Sequence, residues 1–226
     1  FTPEAIAQKI AASPFAGETS GKVRLMVITN STYDGLCYND DAIKVSLKDS
    51  VEVLHFDEAW YAYANFHEFY DGFHGISSTQ PARSQNAITF ATHSTHKLLA
   101  AFSQASMIHI QHAEHKKLDV TRFNEAFMMH TSTSPQYGII ASCDVAAAMM
   151  EQAGRALVQE TIDEAISFRR AMNAVRGQMG QSWWFDVWEP TIAEETPSDT
   201  HAEWVLKPGD AWHGFTGLAE NHVMVD

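Results

Sequence analysis

Apolar runs that end in polar tips recur along this chain, with the lengths of strands in an α/β sheet. Val23 to Thr29 is one, closed by the turn formers Asn30-Ser31-Thr32-Tyr33-Asp34-Gly35. Val51, Val53, Leu54 and Phe56 lead to Asp57; Ala87, Ile88, Phe90 and Ala91 lead to Lys97. Ser106 to Gln111 predicts a further strand. Runs this apolar suit strands covered on both faces, as in parallel sheets. Asp40 to Leu47 fits either a short helix capped by Asp40 or a strand in which Ile43, Val45 and Leu47 alternate, and the alternation favours the strand. A helix there would make a strand–helix–strand unit, which favours a right-handed parallel crossover.

Helical periodicity appears elsewhere. Pro3 to Ala12 predicts a helix, with Thr2 as N-cap, Pro3 at the first helical position and Glu4 in the first turn. From Phe123 the pattern turns helical. Val145 to Met150 is rich in helix formers, and Val158, Ile162, Ala165, Ile166, Met172 and Val175 make a stripe. His67 to Asn86 carries Gly72, Gly75, Ser77, Ser78 and Pro81, and is the best candidate for a mobile loop before the lysine strand. From Gly180 the chain reads as loop with Trp183, Trp184, Trp188, Trp204 and Trp212, which needs a large surface to pack on. The expected class is α/β, a mostly parallel sheet flanked by helices.

Composition narrows the partners. The 226 residues carry fifteen Lys and Arg against twenty-eight Asp and Glu, a formal charge of −13, which disfavours nucleic acid and anionic membrane. Hydrophobic residues at 45% supply ample core. The longest charge-free stretches contain His, Thr, Ser, Gln and Pro, so none reads as a membrane span. Cys37 and Cys143 stand far apart without repeated spacing, which suits a reduced, cytosolic protein.

Polar groups at parallel strand ends lie where ligands bind in open α/β sheets. Asp57 at one end and Lys97 beyond the next suit pyridoxal phosphate, whose aldehyde takes a lysine as a Schiff base and whose ring nitrogen wants an anion. An ordinary surface ion pair is the competing reading. Lys97 is the only lysine between Lys48 and Lys116, in a segment of small hydroxyl residues and histidines. His109-X-X-His112-X-X-His115 suits zinc poorly, because on a strand that spacing alternates faces. His93 and Ser94 lack the Gly-X-Ser-X-Gly elbow of a hydrolase.

Several segments resemble one family in constant order. Phe-Asp-Glu-Ala-Trp-Tyr-Ala-Tyr-Ala (56 to 64), Phe-Ala-Thr-His-Ser-Thr-His-Lys (90 to 97), Ser-Gln-Ala-Ser-Met-Ile-His (103 to 109) and Phe-Asn-Glu-Ala-Phe-Met-Met-His-Thr-Ser-Thr-Ser-Pro (123 to 135) are similar to the bacterial ornithine/lysine/arginine decarboxylases. Those are pyridoxal-phosphate enzymes of fold type I. Thr29 to Gly35 and Trp212-His213-Gly214-Phe215 extend the likeness over nearly the whole chain.

The resemblance implies a decarboxylase of a basic amino acid, lysine first and arginine second, releasing carbon dioxide and a polyamine or agmatine. The segments Trp184 to Trp188 and Trp212 to Phe215 look closer to those branches than to ornithine enzymes. It implies Lys97 and Asp57 as catalytic, with Ala59 lying flat against the ring from an extended strand. Trp60 either packs over the cofactor edge or belongs to the core; Ser94 and His96 donate to the phosphate, Ser94 being otherwise a turn cap. Ser132, or an adjacent hydroxyl, reaches the phosphate of a neighbouring subunit, so a homodimer shares its active site and a higher homo-oligomer is expected.

The same likeness divides the chain into residues 1–180, part of the cofactor-binding major domain, and 181–226, an aromatic segment towards a C-terminal domain. It makes the chain a fragment, from the middle of a longer protein. Two alternatives stand beside the decarboxylase: a catalytically silent piece that supplies assembly surface, and another fold type I enzyme such as a transaminase or lyase.

Overall fold

The computed structural model describes residues 3–17, 22–76, 87–190, 203–207 and 223–226. Its centre is a four-stranded sheet in the order β1 (Met26–Thr29), β3 (Val53–Asp57), β4 (Ile88–His93), β5 (Met107–Gln111). The first three run parallel, with Thr29 opposite Asp57 and Asp57 opposite Thr92. Strand β5 returns antiparallel to β4. The sheet is mostly parallel and carries helices, so the expected α/β class holds.

Burial explains the strands. In β3, Leu54 and Phe56 are fully buried while Val53, His55 and Asp57 are half-buried, the period of two that fixes which face each side chain takes. Burying Leu54 and Phe56 contributes roughly 1.5–3 kcal/mol each. They pack with Ile28, Ile43, Leu47 and Val51. Strand β1 is shorter than its apolar run, and Val23 makes only an isolated parallel bridge to Val51.

Residues Asp40–Leu47 form helix α2, following α1 (Pro3–Ala11); this corrects the strand reading and the cap. Asn39 is the N-cap, its Oδ1 accepting from the Ala42 N–H at 2.8 Å. Asp40 and Asp41 then lie in the first turn, where the helix dipole favours anions. The buried positions are Asp40, Ile43, Lys44 and Leu47, a helical face, so Val45 faces solvent and the apparent alternation was accidental. Helix α2 bridges the parallel strands β1 and β3, and this completes the crossover unit.

Beyond β4 come the single turn α3 (Thr95–Leu98), α4 (Val120–His130) and α5 (Tyr137–Met179). The two helical patterns read after Val145 are one continuous element of 43 residues, about 65 Å long. Its buried residues form a single file at four-residue steps: Ser142, Ala146, Met150, Gly154, Val158, Ile162 and Ile166. Ala165 and Val175, expected in the stripe, are exposed.

The expected mobile loop is corrected over its described part. Phe69, Tyr70, Phe73, His67 and His74 are buried, and His67 Nε2 lies 2.8 Å from Gln159 Oε1 on α5. Aromatic side chains and that hydrogen bond outweigh the flexibility that Gly72 and Gly75 suggest. Positions 77–86 lie outside the described residues, as do Thr2 and Trp212 to Phe215. Strand β6 (Val223–Val225) pairs antiparallel with β2 (Leu36–Tyr38), so the end of the chain folds back on its early part. Trp204 is buried against Trp188 while Trp184 is exposed, so the aromatic tail finds part of its packing surface within this chain.

Gly154 lets α5 approach Phe66: an added Cβ would lie 3.1 Å from Phe66 Cβ. Gly154→Leu should therefore destabilise the protein by about 1–3 kcal/mol through overpacking. Calorimetry would read this as a lowered Tm; an unchanged Tm would show that the contact yields.

Candidate active site

The carboxyl ends of β1, β3 and β4 line up through their register, so Asn30, Asp57 and the segment after His93 meet at one edge. Asp57 ends its strand half-buried, and its Oδ1 accepts from the Ala59 N–H at 3.3 Å. The chain has turned by Ala59, so that residue lies in a turn rather than on the extended strand expected; the short Asp side chain closes this turn on its own backbone.

Lys97 follows β4 on α3, with its backbone N–H donating to the Ser94 carbonyl at 2.9 Å. Its Nζ lies 4.4 Å from the centroid of the Trp60 ring. Trp60 is 42% exposed and makes an edge contact with Tyr33, so it belongs to the surface of the site and not to the core. Among the described residues no carboxylate lies within salt-bridge reach of Lys97. Asp57 and Lys97 thus share an edge without neutralising each other, which argues against the ordinary ion pair.

Ser94 stands at the N-cap position of α3, yet its hydroxyl makes no capping hydrogen bond. His96 donates from Nδ1 to the Ala105 carbonyl at 2.8 Å. That bond leaves Nε2 with the lone pair in the neutral ring, so His96 can donate to an anion only as imidazolium. Ser132 lies on the exposed connection between α4 and α5, where its Oγ accepts from the Ser134 N–H at 3.1 Å. It is not brought to Asp57 and Lys97 within this chain's hydrogen bonds.

The residues fit pyridoxal phosphate by the chemistry of their donors. An amine with no carboxylate partner among the described residues, a carboxylate one strand away, and a hydroxyl without a capping bond three residues before the lysine are groups of the kind that the cofactor needs.

A buried polar layer behind this edge escaped sequence reasoning. Glu58, 2% exposed, accepts at Oε1 from the Gly75 N–H at 2.6 Å and at Oε2 from His93 Nε2 at 2.9 Å. The His93 and His109 rings lie 4.6 Å apart, tilted by 50°, and burial, then His93, pushes His109 below the usual imidazole range. His112 Nδ1 accepts from the Leu118 N–H, and His115 lies beside Glu114, so the three histidines at three-residue steps point to different partners.

Fully buried Asn30 joins this layer, donating to Asp40 Oδ2 at 3.0 Å and to the Phe73 carbonyl at 2.9 Å. Asp40 Oδ1 has no hydrogen-bond partner among the described residues. Burial, and next the Glu58 carboxylate, push Asp40 well above the usual carboxylate range, against the pull of Lys44 and Asn30. The one sequence signal was the Asp57-Glu58 doublet, which looks like a solvated tip until its distant partners are known.

An α/β protein with an acid and a lysine at its parallel strand ends is the class that this geometry defines. The particular family follows from comparison. A family model described as Orn/Lys/Arg decarboxylase, major domain, matches residues 1–226, and the chain belongs to that family. It is 61% identical to a lysine decarboxylase of Pseudomonas aeruginosa over 228 residues, all of this chain and 30% of that protein. The biodegradative arginine decarboxylase of Escherichia coli (strain K12) is 39% identical, covering 99% of this chain and 32% of that protein. Among solved structures, lysine decarboxylase A from Pseudomonas aeruginosa superposes with a TM-score of 0.87 at 62% identity, over 100% of this chain and 30% of that one. The chain therefore spans about a third or less of the length of these relatives.

Asp40 binds its proton more tightly when folded, so between the ordinary carboxylate range, about pH 4, and its raised folded value the folded state holds more protons and stability falls as pH rises. Asp40→Asn keeps an acceptor for Asn30 and removes that titration. Melting temperature followed against pH should decline less steeply for the variant; an equal or steeper decline would contradict this.

Proposed function

We propose that the whole protein decarboxylates a basic amino acid, lysine first and arginine second, with pyridoxal phosphate as cofactor on a fold type I scaffold. The observation that carries this reading is Lys97 on Trp60, without a carboxylate partner among the described residues, at the same sheet edge as Asp57. The names of the relatives, lysine and arginine decarboxylases, support the substrate order. Bound there, the cofactor supplies the electron sink that a departing carboxylate group requires.

The chain's own groups divide the remaining tasks. Lys97 supplies the amine that anchors the aldehyde, and Trp60 confines that amine from one side. Asp57 keeps the proton on the ring nitrogen, in a site where limited hydration strengthens the ion pair. Ala59, in the turn that Asp57 closes, is small enough to leave the ring face free. Ser94 and His96 bind the phosphate. Ser132 serves the same group in a partner subunit, and this reading makes the protein a homodimer within a higher homo-oligomer. Its exposed position, with Phe127, Met128, Met129, Tyr137 and Ile140 exposed nearby, supports an interface there. The two free cysteines agree with a cytosolic setting, and no described helix is long and apolar enough to cross a membrane.

In the complete protein, Lys97→Ala should erase the visible absorbance band and stop carbon dioxide evolution. Asp57→Ala should lower turnover by about a hundredfold or more while leaving cofactor partly bound. Wild-type turnover in Asp57→Ala would refute the role of the carboxylate. Transaminated products without carbon dioxide would favour the alternative chemistry, and a colourless wild type that still assembles would favour a silent scaffold.

A further inference from the structure

The two strand tips that carry Asp57 and Lys97 are joined by one side chain. Glu58 follows Asp57 directly, and its backbone N–H donates to the Thr92 carbonyl at 3.0 Å. Its carboxylate accepts from His93 Nε2 at 2.9 Å, four residues before Lys97. Residue 58 therefore fastens β3 to β4 twice, through backbone and side chain, just where the reacting groups leave the sheet.

A third bond ties in another segment. Gly75 lies so close to Phe56 that an added Cβ would come within 2.8 Å of its ring, and this approach delivers the Gly75 N–H to Glu58 Oε1 at 2.6 Å. The polar groups around it are poorly matched. Thr95 Oγ1 and His109 Nε2, which line the same cavity of about 140 Å³, have no hydrogen-bond partner among the described residues. Glu58 closes two of the hydrogen bonds at this cavity, to His93 and to the Gly75 N–H.

We propose that Glu58 is a positioning residue for the decarboxylation reaction: by bridging His93 and the Gly75 N–H it sets the separation between Asp57 and Lys97. Its role is to act through the two strand tips that it joins. The inference rests on the proposed cofactor site. Loss of the bridge frees the tips to shift, and a misplacement of about 1 Å at a reacting centre can cost on the order of a hundredfold in rate.

The test uses the complete, cofactor-loaded protein with the variants Glu58→Ala, Glu58→Gln and His93→Leu. Expected for Glu58→Ala is a fall in kcat of about 10- to 100-fold with KM changed by less than about threefold. The visible absorbance should persist while the visible circular dichroism of the bound cofactor changes, because attachment survives and orientation does not. Glu58→Gln, which still offers an oxygen to the Gly75 N–H, should recover part of kcat and dichroism. His93→Leu keeps Glu58 and its Gly75 bond while removing the bridge between the tips, together with the ring contact to His109, and decides the matter if Glu58→Ala does not fold; it should also lose kcat. Wild-type kcat and dichroism in a folded Glu58→Ala, or in His93→Leu if that variant alone folds, would overturn the positioning role. A wild-type protein without the visible band would instead overturn the cofactor site on which it rests.

Discussion

The register between β3 and β4 governs everything at the site edge. With Asp57 opposite Thr92, the backbone itself decides that the acid of one strand and the segment carrying the lysine of the next emerge side by side. A slip of one residue would turn Leu54 and Phe56 out of the core and carry Asp57 to the other face. Two fully buried apolar side chains therefore hold in place a carboxylate that gains nothing from burial itself. The energy that positions the chemistry lies in residues that take no part in it.

That edge has two chemical sides. Outside, Asp57, Trp60, Ser94, His96 and Lys97 leave hydrogen-bonding capacity unspent, which is what a ligand requires. Inside, Glu58, His93, Asn30 and Asp40 spend most of theirs on one another and on backbone groups. The change of side happens between Asp57 and Glu58, two acids adjacent in sequence with opposite surroundings. Burial raises the proton affinity of Asp40 in the inner layer, so part of this support is bound to be sensitive to pH.

The strands were legible because each apolar run ends in a polar tip, and the pairing of Asp57 with Lys97 was legible because strand ends gather at one edge. The motifs shared with decarboxylases added roles that no periodicity could supply. Helix α2 was misread because Ile43, Val45 and Leu47 alternate by chance, while the deciding cap, Asn39, lay just before the segment. The anchoring of His67 to Tyr70 was hidden because its partner on α5 lies far along the chain. Glu58 was missed for the same reason: its partners, Gly75 and His93, become neighbours only after the sheet forms. Local pattern reports local structure, and a buried polar network is a long-range object.

Covalent attachment of the cofactor at position 97 can be read by chemical trapping. The complete protein, loaded with cofactor, is reduced with borohydride, digested and examined by mass spectrometry for the pyridoxyl adduct. The adduct is expected on the peptide containing Lys97. An adduct confined to another lysine, with Lys97 unmodified, would contradict it.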